Sequence, residues 1–223
     1  MPNTRSSQHK TSANVKMTAG VLVAAALVIV AVVVTLGRGG GRPAVVADVL
    51  VRPDSNRISV ASDGKVTVVE FLDFECPSCA AVYPAVEQLR SRYAGKITYV
   101  VRYFPLAMHP NAENAARAAQ AAADQGRFEA MYQKLFENQA RWAHRQQPQT
   151  AVFERYAAEL GLDMTRFRAD VAAGATAERI REDRDDGITL GVQGTPTFFL
   201  DGKQFEGDSV AELGAAIDAA LAR

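Results

Sequence analysis

The chain has 223 residues, 48% of them hydrophobic, which is enough for one well-packed core. Its 25 basic and 25 acidic side chains cancel, and no long run of one sign occurs, so a nucleic-acid partner is not expected. The two cysteines, Cys76 and Cys79, lie in one four-residue motif. The composition therefore indicates one folded domain with an appendage, and places the thiol chemistry at a single point of the chain.

The amino-terminal segment is predicted to be a membrane anchor. Residues 17–36 carry no charge and would extend about 30 Å as a helix, the thickness of a bilayer's hydrocarbon core. Three basic side chains precede this stretch and two follow it closely, which favours a disordered tail at 1–16 in the cytoplasm and a linker at 37–56 outside it. The alternative is an export signal that is cleaved after residues 45–47, although the apolar stretch is longer than the hydrophobic region of a usual signal peptide.

The first part of the folded domain predicts a strand, a helix and a second strand. Residues 66–72 form a nearly continuous apolar run, typical of a strand buried on both faces. A helix is expected from Pro77, whose missing N–H costs nothing in the first turn, to about Tyr93. Residues 97–104 predict the second strand. Such a unit is a parallel crossover, so the cysteines should lie at the carboxyl end of the first strand.

The segment from residue 111 to about 190 has helical patterns throughout. For example, residues 128–136 carry apolar side chains with the spacing of an amphipathic helix. We interpret this segment as one helical insertion, in which residues 175–190 form a charged, exposed helix. Trp142 is expected to pack under a loop. His109 is expected to form hydrogen bonds in the loop that opens the insertion, or to contact substrate.

The carboxyl-terminal residues predict a hairpin followed by a helix. Strands are expected at 197–201 and 204–206, around a turn at Gly202 and Lys203. Ser209 is a suitable amino cap for a final helix that reaches the end of the chain. The folded domain is therefore predicted to span residues 57–223.

A Cys-x-x-Cys motif fits either half a zinc site or a redox pair. Zinc would need two further ligands, for which the chain offers only His9 in the tail, His109 and His144, so no metal is expected. A purely structural disulfide stays an alternative, although a four-residue ring stabilises little. Unsatisfied N–H groups and the macrodipole at a helix start favour a thiolate. We therefore expect a redox-active disulfide between Cys76 and Cys79, with no other cofactor.

The two thiols are predicted to have different roles. Cys76 begins the helix and can be approached from solvent, whereas Cys79 lies one turn further in, so Cys76 is the attacking nucleophile and Cys79 the resolving thiol. Glu70 shares a strand face with Val68 and Leu72, and burial among apolar neighbours should raise its pKa. It could accept the proton of Cys79 when this thiol attacks a mixed disulfide. The alternative is a glutamate at the sheet edge in contact with water.

These features resemble the thioredoxin superfamily, in particular the DsbA-like thiol-disulfide oxidoreductases. The resemblance covers residues 65–222 and rests on four pieces: the segment Glu-Phe-Leu-Asp-Phe-Glu-Cys-Pro-Ser-Cys at 70–79, residues 103–110 after the second strand, the helical insertion, and Gly-Thr-Pro-Thr-Phe-Phe at 194–199. It implies an α/β architecture, a thioredoxin fold with an inserted helical cap. In this chain a single transmembrane helix would precede that fold.

The resemblance also implies how the site is completed. The Thr195–Pro196 bond should be cis and lie beside the cysteines, where the Thr195 backbone would pair with an extended substrate chain. Glu70 should match the family's buried acid. The strongest oxidants of the family carry histidine in place of Ser78, between Pro77 and the second cysteine. Without that positive charge the thiolate is expected to be less favoured, so the oxidising strength should be lower.

The resemblance further implies a function. The family oxidises thiols of newly exported proteins and is re-oxidised by a quinone-linked membrane partner of the DsbB or VKOR type. We therefore expect a monomeric enzyme, held in the cell membrane by one helix, whose extracytoplasmic domain introduces disulfides into reduced exported proteins. The alternatives are a thiol reductase or disulfide isomerase of the same fold, and a chaperone or binding module without redox activity.

Overall fold

The computed structural model describes residues 49–223, so the predicted tail and the anchor at 17–36 lie outside the described residues. The strands are β1 (Asn56–Ser59), β2 (Thr67–Leu72), β3 (Thr98–Tyr103), β4 (Thr197–Leu200) and β5 (Lys203–Gln204). The helices are α1 (Pro77–Arg92), α2 (Ala112–Ala123), α3 (Phe128–Glu137), α4 (Gln139–Trp142), α5 (Thr150–Glu159), α6 (Met164–Ala172), α7 (Gly174–Thr189) and α8 (Val210–Leu221). Helices α2 to α7 confirm the predicted helical insertion. Among residues 49–223, no helix combines the length and hydropathy that crossing a membrane requires.

One five-stranded sheet, in the order β1-β3-β2-β4-β5, organises the domain. Strand β2 lies at its centre, parallel to β3 and antiparallel to β4, which confirms the predicted parallel pair. In this register Glu70 lies between Val101 on one side and Phe198 on the other. Because β2 has neighbours on both sides and helices cover both faces, its residues from Val68 onward are buried. Glu70 therefore does not lie at a sheet edge.

The two faces of the sheet pack into separate apolar cores. Val68 and Leu72 on one face join the larger core, which includes residues of α1 and the cap. Phe71 on the other face packs against Phe104 and belongs to a smaller core. Helix α7 approaches this second core at Gly187, where a Cβ atom would lie 2.7 Å from the Phe104 ring. A glycine is therefore needed at this point of α7.

The connections confirm some local predictions and correct one. The hairpin turn lies at Asp201 and Gly202, one residue earlier than predicted, because both residues have the positive φ values, 49° and 84°, of a two-residue turn. The Ser209 hydroxyl accepts a hydrogen bond from the Glu212 N–H and caps α8, as expected. Trp142 is fully buried, and its ring N–H donates to a backbone carbonyl, which confirms its packing role.

Helix α7 is not the exposed helix that its charge predicts. Asp183 is 0% exposed, and Arg179 and Asp186 are each 8% exposed. The reason is Arg102 in β3, whose guanidinium lies 2.5 Å from Asp183 Oδ1 and 2.5 Å from Asp186 Oδ2. A buried arginine needs carboxylates as partners. The acidic side chains on one face of α7 are these partners, and that face is therefore buried against the sheet although it is charged.

The same arginine holds the segment before β1 on the domain. Its Nη1 donates to the carbonyls of Val49, at 2.7 Å, and Leu50, at 2.6 Å. Leu50 is 2% exposed, and the Arg52 guanidinium forms two hydrogen bonds with Asp186. Residues 49–56 are therefore packed on the domain, and the predicted linker, which ended at residue 56, extends too far.

Replacing Arg102 by methionine should destabilise the domain by about 3 kcal/mol, the lower end for a broken buried ion pair, because Asp183 and Asp186 lose a buried cation and keep only Arg179 and Arg52 as cationic partners. Urea unfolding of the reduced protein measures this loss. Arg181 provides the control: it pairs with Glu178 and Asp185 on the exposed side of the same helix. Arg181→Met should cost far less, and equal losses for the two variants would contradict the role given to Arg102.

Candidate active site

Cys76 occupies the amino-cap position of α1, immediately after the central strand. Its backbone is extended, with φ −66° and ψ 124°, and its N–H donates to the Asp73 carbonyl at 3.1 Å in the turn between strand and helix. Pro77 follows as the first helical residue. Pro77 and Ser78 are exposed. The strand-to-helix junction therefore places the sulfur of Cys76 where the first N–H groups of the helix are unsatisfied.

Cys76 is more exposed than Cys79, as predicted, but the difference in exposure is small. Both cysteines are free, Cys76 is 5% exposed, and Cys79 is 1% exposed. Cys76 is therefore the thiol that a substrate sulfur can reach, although its opening to solvent is narrower than expected. Cys79 lies beneath it, within the larger apolar core.

The two thiols have opposite acidities. The pKa of Cys76 is lowered to about 4, first by a hydrogen bond from the Cys79 thiol, then by the Thr195 side chain and by the N–H groups of Cys79 and Ser78, which together outweigh burial. Burial, the hydrogen bond to Cys76 and the charge of Glu70 raise the pKa of Cys79 well above its usual range. Near neutral pH the pair therefore holds one thiolate, on Cys76, and one proton, on Cys79.

Glu70 is buried, as predicted, and lies close enough to Cys79 for its charge to raise the pKa of that thiol. Glu70 is 2% exposed, and burial raises its pKa to about 7, although a hydrogen bond from the Tyr99 hydroxyl, 2.7 Å from Oε2, opposes this shift. A carboxyl with this pKa can both take and release a proton near neutrality. Tyr99 was missed in the sequence because only the register of β2 against β3 brings it to Glu70.

The Thr195–Pro196 segment lies beside Cys76. The peptide bond between these residues is cis, which confirms what the family resemblance implies. The Thr195 carbonyl oxygen lies 3.3 Å from the Cys76 sulfur and accepts a hydrogen bond from it when the thiol is protonated, and β4 begins two residues later at Thr197. The fold therefore joins the cysteine motif to a stretch of main chain more than a hundred residues further on.

Two buried acids next to Cys76 were not singled out in the sequence. Asp73 Oδ1 accepts from the Glu75 N–H at 2.7 Å, and its Oδ2 accepts from the Leu106 N–H at 2.9 Å and lies 2.6 Å from His109 Nδ1. His109 is thus the hydrogen-bonded loop residue that was predicted. Glu75, the second acid, is 0% exposed. Their signal in the sequence was the placement of two carboxylates between a buried strand and the cysteine motif.

Comparison with known proteins agrees with this geometry. The model of the thioredoxin family matches residues 60–219. The chain belongs to the thioredoxin family. A thioredoxin-like oxidoreductase from Silicibacter pomeroyi is 29% identical, with a TM-score of 0.66 and coverage of 79% of this chain and 98% of that one. The thiol-disulfide exchange protein α-DsbA2 from Wolbachia pipientis shares the fold, with 22% identity, a TM-score of 0.66 and coverage of 79% and 92%.

The predicted membership of the thioredoxin superfamily is therefore confirmed, and the solved DsbA-like proteins share the fold. A curated relative is larger: the protein named Na(+)/H(+) antiporter NhaA 3 from Salinispora tropica is 41% identical over 174 residues, which make up 77% of this chain but 26% of that protein. The chain thus spans about a quarter of the length of the curated relatives it matches.

Proposed function

We propose that this chain is an extracytoplasmic thiol-disulfide oxidoreductase that introduces disulfides into exported proteins through the Cys76–Cys79 pair. The observation that carries this proposal is the unequal acidity of the thiols, with the pKa of Cys76 near 4 and that of Cys79 well above its usual range. A stabilised thiolate favours the reduced form of the pair. Its disulfide form is therefore a good acceptor of electrons from substrate thiols.

Oxidation of a substrate takes two exchanges. A substrate thiolate attacks the Cys76 sulfur of the Cys76–Cys79 disulfide, so that a mixed disulfide forms and Cys79 leaves as a thiolate, which takes a proton from Glu70. A second substrate thiolate then attacks the substrate sulfur of the mixed disulfide, and Cys76 leaves as a thiolate. Two electrons pass from the substrate dithiol to the cysteine pair, and the disulfide itself is the only electron acceptor needed.

The enzyme must then be re-oxidised. The Cys76 thiolate attacks a disulfide of a membrane re-oxidase of the DsbB or VKOR type, and Cys79 resolves the resulting mixed disulfide. Glu70 accepts the proton of Cys79 in this step, because an ionised carboxylate with a pKa near 7 is available close to a thiol of high pKa. The two electrons pass to the re-oxidase and the Cys76–Cys79 disulfide is restored.

Substrate binding would use the main chain next to the cysteines. The Thr195 carbonyl lies 3.3 Å from the Cys76 sulfur, so a polypeptide that pairs with this residue as an added strand brings its own cysteine to Cys76. Pairing through main-chain groups does not depend on the substrate's side chains. This suits an enzyme that acts on many unfolded proteins.

The location at a membrane rests on two observations. The charge-free stretch at 17–36 is long enough to span a bilayer, and the bias of basic residues places the domain on the extracytoplasmic side. A relative named Na(+)/H(+) antiporter NhaA 3 contains a region similar to this chain. Both observations support a thioredoxin domain that works at a membrane surface.

The redox potential of the Cys76–Cys79 pair, measured by equilibration with glutathione, tests the proposed direction. We expect a value of about −180 to −120 mV, between those of protein disulfide isomerase and DsbA, because a thiolate is stabilised but Ser78 lacks the charge of a histidine. A value near −270 mV, as in thioredoxin, would contradict the oxidase assignment and indicate a reductase.

A further inference from the structure

One side chain of the helical cap binds the main chain on both sides of Glu75. Gln139, the first residue of α4, donates from Nε2 to the Phe74 carbonyl at 2.8 Å and to the Cys76 carbonyl at 3.0 Å. Each of these carbonyls belongs to a different peptide plane. Gln139 therefore restrains the backbone segment that leads into the nucleophile.

The side chain of Glu75 completes this connection in the other direction. Its carboxylate is buried and accepts from the Asn111 N–H at 2.5 Å and from the His144 N–H at 2.6 Å. His144 has a φ of 59°, a left-handed conformation that is uncommon outside glycine and that this hydrogen bond helps to hold. Residues 74–76 thus bind the start of the cap and the loop after α4.

These contacts bear on the reactivity of the thiolate. The Cys76 carbonyl that Gln139 holds also accepts the first hydrogen bond of α1, from the Ala80 N–H at 3.1 Å. Cys76 occupies the amino cap with an extended backbone, and although its sulfur forms no capping hydrogen bond, the N–H groups of Ser78 and Cys79 lie close enough to lower the pKa of the thiol. If the Cys76 backbone rotates, the sulfur turns away from these donors.

We propose that Gln139 is a positioning residue, through which the helical cap holds Cys76 in the conformation that keeps its thiolate facing the N–H groups of α1. The inference rests on the proposed function and deepens it, because it assigns to the cap a part in setting the reactivity of the nucleophile. Gln139 acts through the backbone and does not contact the sulfur that reacts.

Gln139→Met tests this assignment, since methionine has a similar length but donates no hydrogen bond. Gln125→Met is the matched control: Gln125 is also a half-buried glutamine of the cap, and it bonds the backbone of Asp163 at 3.2 and 2.9 Å, away from the cysteines. The readouts are the ultraviolet absorbance of the thiolate as a function of pH and the equilibrium of the full chain with glutathione.

Gln139→Met should raise the pKa of Cys76 and shift the glutathione equilibrium about tenfold toward the disulfide form, which corresponds to a change of one pKa unit. Gln125→Met should have the same thiolate titration curve and the same glutathione equilibrium as the wild type. Unchanged curves for Gln139→Met, or equal shifts in both variants, would overturn the proposal.

If Gln139→Met does not fold, a second variant, Gln139→Asn, keeps the test. Its amide is too short to reach both carbonyls, so it should shift the curves in the same direction. Wild-type curves for a folded Gln139→Asn would then overturn the proposal. The wild-type potential tests the proposed function separately.

Discussion

Cys76→Ser should reduce thiol oxidation by at least about a thousandfold, to the uncatalysed rate, because a serine hydroxyl is not ionised at neutral pH and cannot form the disulfide that accepts electrons. The fold should survive, since serine is nearly isosteric with cysteine and its hydroxyl can form the same hydrogen bond to the Thr195 carbonyl. The measurement is the rate at which the oxidised protein converts a reduced, two-cysteine peptide to its disulfide. Retained full activity in Cys76→Ser would contradict the redox mechanism and favour a chaperone or binding module.

Cys79→Ser is the matched control, assayed with a peptide whose single cysteine carries a glutathione disulfide. This variant keeps the nucleophile but has no resolving thiol, so the Cys76 thiolate should attack the peptide sulfur, release glutathione as the leaving thiolate and retain the peptide as a mixed disulfide. Mass spectrometry should then show one peptide bound per chain, released by a reductant. Trapping by Cys79→Ser but not by Cys76→Ser would establish the roles of the two thiols. The reverse pattern would show that the roles are exchanged.

Glu70→Gln should slow resolution of the mixed disulfide by about a hundredfold near pH 7, a typical contribution of general base catalysis, and leave the initial attack by Cys76 unchanged. The base works only when ionised. Because its pKa is about 7, the wild-type resolution rate should rise with pH up to about 7 and level off above it. Single-turnover kinetics across this pH range should show that the rise disappears in Glu70→Gln.

Tyr99→Phe is the control that keeps the carboxylate. Loss of the Tyr99 hydroxyl removes a hydrogen bond that lowers the pKa of Glu70, so the same rise should occur at a higher pH. If wild type, Glu70→Gln and Tyr99→Phe had identical pH profiles for resolution, Glu70 would not be the proton acceptor. A Glu70→Gln variant that slowed attack and resolution equally would also contradict this role.

The polar contacts around the thiols differ in whether the sequence could reveal them. Burial of Glu70 was predictable, because its position in an apolar strand is a local property of the chain. Its contact with Tyr99 depends on strand register, and the contact of Gln139 with residues 74–76 depends on how the cap packs. Gln139 lies in a polar stretch with no periodicity, so nothing in its neighbourhood distinguishes it from a solvated glutamine.

Helix α7 shows the limit of arguments from composition. A run of aspartates and arginines looks the same whether it faces water or a buried partner, and here Asp183 and Asp186 face Arg102 on the sheet. The same network binds the main chain at residues 49 and 50, which is why the domain begins earlier than its apolar pattern suggests.

The sequence alone indicated the family, through its resemblance to DsbA-like proteins, and predicted the parallel strand pair and the position of Cys76 and Cys79 at a helix start, because strand and helix periodicity and the motif are local. Only the tertiary structure decided the strand order, the hydrogen bond between Tyr99 and Glu70, and the binding of residues 74–76 by Gln139. Those contacts join residues between 29 and 65 positions apart. Polar pairs at such separations leave no periodic pattern, so they become visible only when the chain is folded.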